Sequence, residues 1–176
     1  DKIKKPVTNS VPPEHVRGLP GAVGAVGKGL TFLGAGVSAF SFGMDLGNGD
    51  YAMASGDGIS TIGGGLEAYA ILAPGATVAG LSAMTVGLAV GGIGIAVTSG
   101  ISMSRAADRG DGRGAIAGFV GTAAGLSIAA GAAGLLLGAA AAPLLFAAAP
   151  VLIGAGIVAA LGVGVFHIGR HFGWWN

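Results

Sequence analysis

Few side chains in this sequence are equipped for chemistry, and their spacings limit what that chemistry is. His167 and His171 lie four residues apart, the interval at which two imidazoles share a helix face and can hold zinc. No glutamate stands between them, and no acidic or thiol third ligand is near in sequence. With Arg170, Trp174 and Trp175 they read instead as an interfacial cap, amphipathic rings and a cation at the level of lipid headgroups. Serines are plentiful, but none stands in a nucleophile elbow. Gly24-Ala-Val-Gly27-Lys28 is not the phosphate-loop pattern, which spaces its glycines wider and follows the lysine with Ser or Thr. The clusters Asp45–Gly49 and Asp108–Gly112 lack the alternating acids and closing glutamate of a calcium loop, and read as turns. No catalytic, cofactor or metal residue is assigned, and an enzyme is not expected.

Glu67 is the isolated charge of most interest, since it interrupts an otherwise apolar segment. An acid there marks a helix end, snorkels to water or borders a cation pathway. Asp45, Asp50 and Asp57 make the same region acidic, which would favour cations if it bordered a pore.

The elements that must position these residues are unusually poor in charge. Of 176 residues, 37 are glycine and 10% are charged, and mean hydropathy is +0.78. From Gly114 to Phe166, and from Ala68 to Ser104, there is no Asp, Glu, Lys or Arg. A membrane-inserting chain needs such stretches, because a charge at the centre of a spanning helix costs about 2.5–3.5 kcal/mol. The formal net charge of +1 leaves no basic field for nucleic acid. The absence of cysteine leaves no disulfide or thiolate chemistry.

Along the chain, residues 1–20 read as a proline-rich polar leader whose lysines offer a first contact with anionic lipid. Residues 21–176 read as one all-α domain of glycine- and alanine-rich hydrophobic hairpins, membrane-inserting and loosely folded or shielded beforehand. An apolar helix is expected over 21–44, a polar turn region over 45–57 with a short helix around Tyr51–Ser55, and a second apolar element over Ile59–Leu72. After Pro74-Gly75, residues Ala76–Ser104 make a long helix or a tightly turned pair. A charged stretch, Arg105–Arg113, separates this from Gly114–Ala142 and a final helix over 144–168. The last two form a hairpin with its tip near Pro143–Pro150 and its charges at the open end. The matching segments Asp45–Ala54 and Asp108–Ala117 suggest a duplicated unit, about 21–72 and 76–142.

Glycines four apart mark the surfaces through which these helices pack: Gly87/Gly91, Gly114/Gly118, Gly121/Gly125 and Gly134/Gly138. Small faces that let backbones approach, with large apolar residues elsewhere, form a glycine zipper. In water each interior glycine weakens a helix by up to about 1 kcal/mol. In lipid the same segment is driven to helix, because unpaired backbone groups are so unfavourable there.

The zipper stretches 76–100 and 114–142, the hairpin-like 144–168, the Asp-Gly turns and the start at Asp1 rather than Met together resemble the C-terminal toxin domains of bacterial Rhs-type effectors delivered by type VI secretion. The resemblance implies a pore-forming antibacterial toxin that depolarises the target cell's inner membrane. It also implies release by proteolysis inside a shell of the same precursor, synthesis in the producer's cytoplasm, and a cognate immunity protein. The expected partners are therefore the lipid bilayer, further copies of the chain, the immunity protein and the encapsulating shell. The same texture suits a non-toxic integral membrane or structural domain, holin-like or an anchor.

Overall fold

The structure, a computed structural model, describes residues 21–174, the side chains of 21–27, 30 and 171 excepted. Five helices follow one another: α1 (Gly21–Gly47), α2 (Tyr51–Leu72), α3 (Ala83–Asp108), α4 (Gly112–Ala141) and α5 (Pro143–His171). Between α2 and α3 lies a small antiparallel hairpin, β1 (Thr77–Val78) and β2 (Leu81–Ser82), in which Thr77 faces Ser82 and Val78 faces Leu81. The leader and Trp175 lie outside the described residues.

The helix boundaries follow from turn and cap chemistry. At the ends of α1 and α3 a glycine takes positive φ, Gly49 (72°) and Gly110 (71°). Each donates its N–H three residues back, to Leu46 O and Ala107 O, and the next residue donates five back, Asp50 to Asp45 O and Asp111 to Ala106 O. That is the Schellman closure, which satisfies the last carbonyls of a helix and uses glycine where L side chains are strained. The aspartate then caps the following helix: Asp50 accepts from Met53 N (3.1 Å) and Asp111 from Gly114 N (2.9 Å). α5 ends the same way, with Gly173 at φ 69° and Trp174 N donating to Gly169 O. The structural repeat is thus Gly49-Asp50 against Gly110-Asp111, two residues out of register with the alignment of Asp45 on Asp108 that the sequence suggests.

Other expectations change for related reasons. The turn after α1 is only residues 48–50, because Asp50 starts a single α2 that absorbs both the short helix and the second apolar element. Residues 76–82 are not helical. Pro74 and Gly75 break the chain, and Ala79-Gly80, both at positive φ (51° and 80°), turn the hairpin before Ser82 caps α3. α4 breaks at Gly138 (φ 74°, ψ 171°), and Pro143 opens α5, so the last hairpin turns at 138–143 while Pro150 lies inside α5.

Each helix packs extensively only on its neighbours in sequence, giving the row α1-α2-α3-α4-α5. The pairs are antiparallel. On α3 and α4, Gly92 meets Ala129, Ala96 meets Gly125, Met103 meets Gly118 and Ala106 meets Gly114. On α2 and α3, Gly56 meets Thr98, Ser60 meets Gly94 and Gly63 meets Gly91. With Ser99 against Gly121, the α3 positions 92, 96, 99, 103 and 106, like 56, 60 and 63 on α2, recur at alternating intervals of four and three, the 3.5-residue period of a continuous seam between two helices. Row geometry and short turns therefore collect Asp50, Arg105, Arg109, Asp111 and Arg170 at one end, and the two uncharged tips, 73–82 and 138–143, at the other.

Candidate membrane-embedded surface and charged end

The interior of this row is built from the smallest side chains. Among the described residues the buried apolar ones are Ala54, Ala83, Ala96, Ala106, Ala117, Ala124, Ala132, Ala149 and a single larger one, Ile128. Buried glycines fill the remainder, among them Gly63, Gly87, Gly91, Gly118, Gly121 and Gly125. No polar or charged side chain is buried among the described residues. The large apolar residues point outward instead: Leu33, Phe40, Leu72, Phe119, Val151, Val158 and, at 85% exposure, Leu144. In water this distribution is unfavourable, since burial of such side chains is the main force that folds a chain. In lipid it is the expected one, because hydrocarbon solvates the outer face and helices associate by close approach.

α3, α4 and α5 are each long and apolar enough to cross a membrane by length and composition. Pro150, exposed within α5, fits that environment, where helix interiors tolerate proline. The charge-free interior, the apolar exterior and these three helices are features of a membrane-associated helical protein.

Of the glycines singled out by spacing, most meet a neighbouring backbone. A methyl added at Gly125 would come within 2.5 Å of Ala96 N, at Gly118 within 2.7 Å of Met103 Cα, and at Gly134 within 2.6 Å of Leu145 O. Gly114 lies against Asp111 and Ala106, and Gly121 touches both Ser99 on α3 and Val163 on α5. Gly114, Gly118, Gly121 and Gly125 thus share one seam facing α3. Gly138 does not pack: it has open space around it, and its positive φ ends the regular part of α4. Gly56, Gly63, Gly94, Gly131 and Gly156 also carry close contacts. Their spacing of seven (Gly56/Gly63, Gly87/Gly94) is the signal that a search for intervals of four overlooks.

Glu67 occupies the α2–α3 seam one step beyond Gly63, at a position that small residues fill elsewhere. It fits because Gly87 and Gly91 opposite have no side chain: a methyl on Gly87 would lie 2.7 Å from Glu67 Cγ, and one on Gly91 3.5 Å from Oε1. Nearer the charged end of the same seam, Asp57 Oδ1 accepts from Thr98 Oγ1 at 3.1 Å.

At the charged end, Arg105 grips Asp50 with both terminal nitrogens (2.5 and 2.8 Å), and Arg170 Nη1 donates to Asp111 Oδ2 at 2.6 Å. In each case an arginine finishing one helix holds the aspartate that caps another. The Arg105 guanidinium holds the Asp50 carboxyl down to about 2, and Arg170 lowers that of Asp111. Arg170 also lies over the Phe166 ring, 5.7 Å from its centroid, and Trp174 stacks on Phe172 in the turn that closes α5. These ion pairs had no sequence signal beyond the Gly-Asp turns themselves. Among the described residues no group of three His, Cys, Asp or Glu side chains is placed to hold a metal ion. No family model, curated protein or solved structure matches this chain.

Proposed function

We propose that this chain is a pore-forming antibacterial toxin domain that inserts into a target cell's inner membrane and dissipates its potential by ion conduction. The observation that carries the reading is the inverted distribution of side chains, glycine and alanine inside and large apolar residues outside. It is supported by the separation of charge along the row. Both tips lack ionisable groups, so each hairpin can cross a bilayer tip-first while Asp50, Arg105, Asp111 and Arg170 remain in water on the near side. Among the described residues Glu67, in the α2–α3 seam, and Lys28, near the tip end of α1, also lie toward the tips. Glu67 crosses packed against Gly87 and Gly91, and the long stem of Lys28 allows its ammonium to snorkel to the far interface. Conduction then belongs to several copies joined through small faces, with Glu67 and the acids of α1–α2 favouring cations. A cognate immunity protein and an encapsulating shell, with release into a competitor cell, complete the proposal.

A second reading, a non-toxic integral membrane or anchoring domain, is favoured by one feature. The seams of the row are closed by backbone contact at their glycines, and among the described residues no polar or charged side chain is buried between the helices. Purified chain added to potassium-loaded liposomes separates the two. A toxin collapses a potassium diffusion potential, reported by a voltage-sensitive dye, and an anchor binds the vesicles and leaves the potential standing.

A further inference from the structure

The charged end holds a cavity that membrane insertion does not by itself explain. Its volume is about 340 Å³, and its polar lining includes Ser102, Arg105, Arg109, Asp111, His167 and Arg170. Helices α2, α3, α4 and α5 all contribute to its wall. Two of the three arginines are already committed, Arg105 to Asp50 and Arg170 to Asp111. The side chain of Arg109 makes no hydrogen bond or ion pair among the described residues. The lining holds three guanidinium groups and one carboxylate, Asp111, which Arg109 influences only through space, so the donors of Arg109 stay open to an anion such as a phosphodiester. The position points to the source of that anion. Each of the three spanning helices begins or ends within a turn of this cavity, so in a bilayer it lies at headgroup depth. On the next turns toward the tips, α4 and α5 carry an apolar cleft of about 390 Å³, lined by Ile116, Val120, Val163 and Phe166, with Arg113 at its margin. That cleft is suited to an acyl chain.

We infer that this cavity binds the phosphodiester headgroup of an anionic phospholipid, with phosphatidylglycerol as the simplest example and Arg109 as its main ligand. The inference rests on the membrane reading above, since only an embedded row places the cavity among headgroups. Occupancy joins four helices at their charged ends and fixes that end to the leaflet of first contact.

The test uses the full chain in neutral detergent, with bound lipid counted by native mass spectrometry. Phosphatidylglycerol is expected to bind at least roughly ten-fold more tightly than phosphatidylcholine, and Arg109→Gln to lose most of that preference. Lys28→Gln removes the same charge at the opposite end of the row and should retain the preference. Equal loss in both variants, or no preference in the native chain, overturns the site. Sodium phosphate should compete weakly for it. Phosphate binding as tight as the lipid's would overturn the lipid as source. Should Arg109→Gln fail to fold, Arg109→Lys keeps the charge without the planar fork and should bind phosphatidylglycerol more weakly than the native chain, and an unchanged affinity overturns Arg109 as the ligand. Binding in detergent is independent of conduction, so a chain that depolarises vesicles but ignores headgroup chemistry overturns only this site.

Discussion

Asp50 and Asp111 each close one junction twice, as the cap of a helix and as the partner of an arginine from another helix. For Asp50 the two roles can be separated. Asn at this position keeps the capping oxygen and loses the ion pair, and Ala loses both, so melting temperatures in detergent should fall in the order native, Asp50→Asn, Asp50→Ala. The pH dependence has a definite sign. With its carboxyl held at about 2 against an ordinary 3.8, the unfolded chain takes up this proton before the folded one does as pH falls. The stabilisation is therefore whole above about pH 4 and is lost as pH falls through about 2. Melting curves from pH 7 to 2 should show that loss in the native chain, and Asp50→Asn should reduce it to the part that Asp111 contributes in the same direction. Ala79 is the other informative residue. It stands at φ 51° in a hairpin turn that favours Asn or Gly, at a strain of about 1 kcal/mol. An amide there would be carried across the bilayer at the tip. Ala79→Asn should raise the melting temperature in detergent and slow vesicle depolarisation. A faster depolarisation would contradict tip-first insertion.

At the scale of the helices, the seams decide how closely neighbours approach. Gly118→Ile and Gly125→Ile place branched side chains where even a methyl comes within 2.7 Å or 2.5 Å of α3 backbone. Overpacking of this kind costs about 1–3 kcal/mol and must separate α3 from α4. Both variants should melt lower in detergent and lose conductance. Gly34→Ala and Gly36→Ala on α1 meet open space and should be neutral or slightly stabilising in the same melts. The existence of the helices was legible in the sequence, because runs without charge bounded by Pro74-Gly75, Arg105–Arg113 and Pro143 leave little else to form. The seams were legible only in part. Intervals of four identify Gly114/Gly118 and Gly121/Gly125, but their fusion into one surface depends on a period of 3.5, which becomes visible only with α3 opposite. The hairpin at 77–82 escaped because its turn uses Ala79, which carries no turn signal. Gly138 was misread because a glycine that packs and a glycine that breaks a helix are the same letter.

For the whole molecule, a row in which each helix packs extensively only on its sequence neighbours leaves, among the described residues, α1 and α5 with one unpaired side each and a large apolar exterior. Such a surface is not stable free in water, so the isolated chain should need detergent or a shielding partner to stay dispersed, as sedimentation with and without detergent would record. Glu67 in the α2–α3 seam is the residue through which this architecture would discriminate ions. Glu67→Gln should reduce cation over anion permeability in reversal-potential measurements while leaving insertion intact. Conduction itself is the central claim, and single-channel recording in planar bilayers containing phosphatidylglycerol addresses it most directly. A toxin pore gives discrete current steps from the native chain that vanish in Gly125→Ile. A native chain that partitions fully into the bilayer yet passes no current would contradict the pore and leave a membrane anchor in its place.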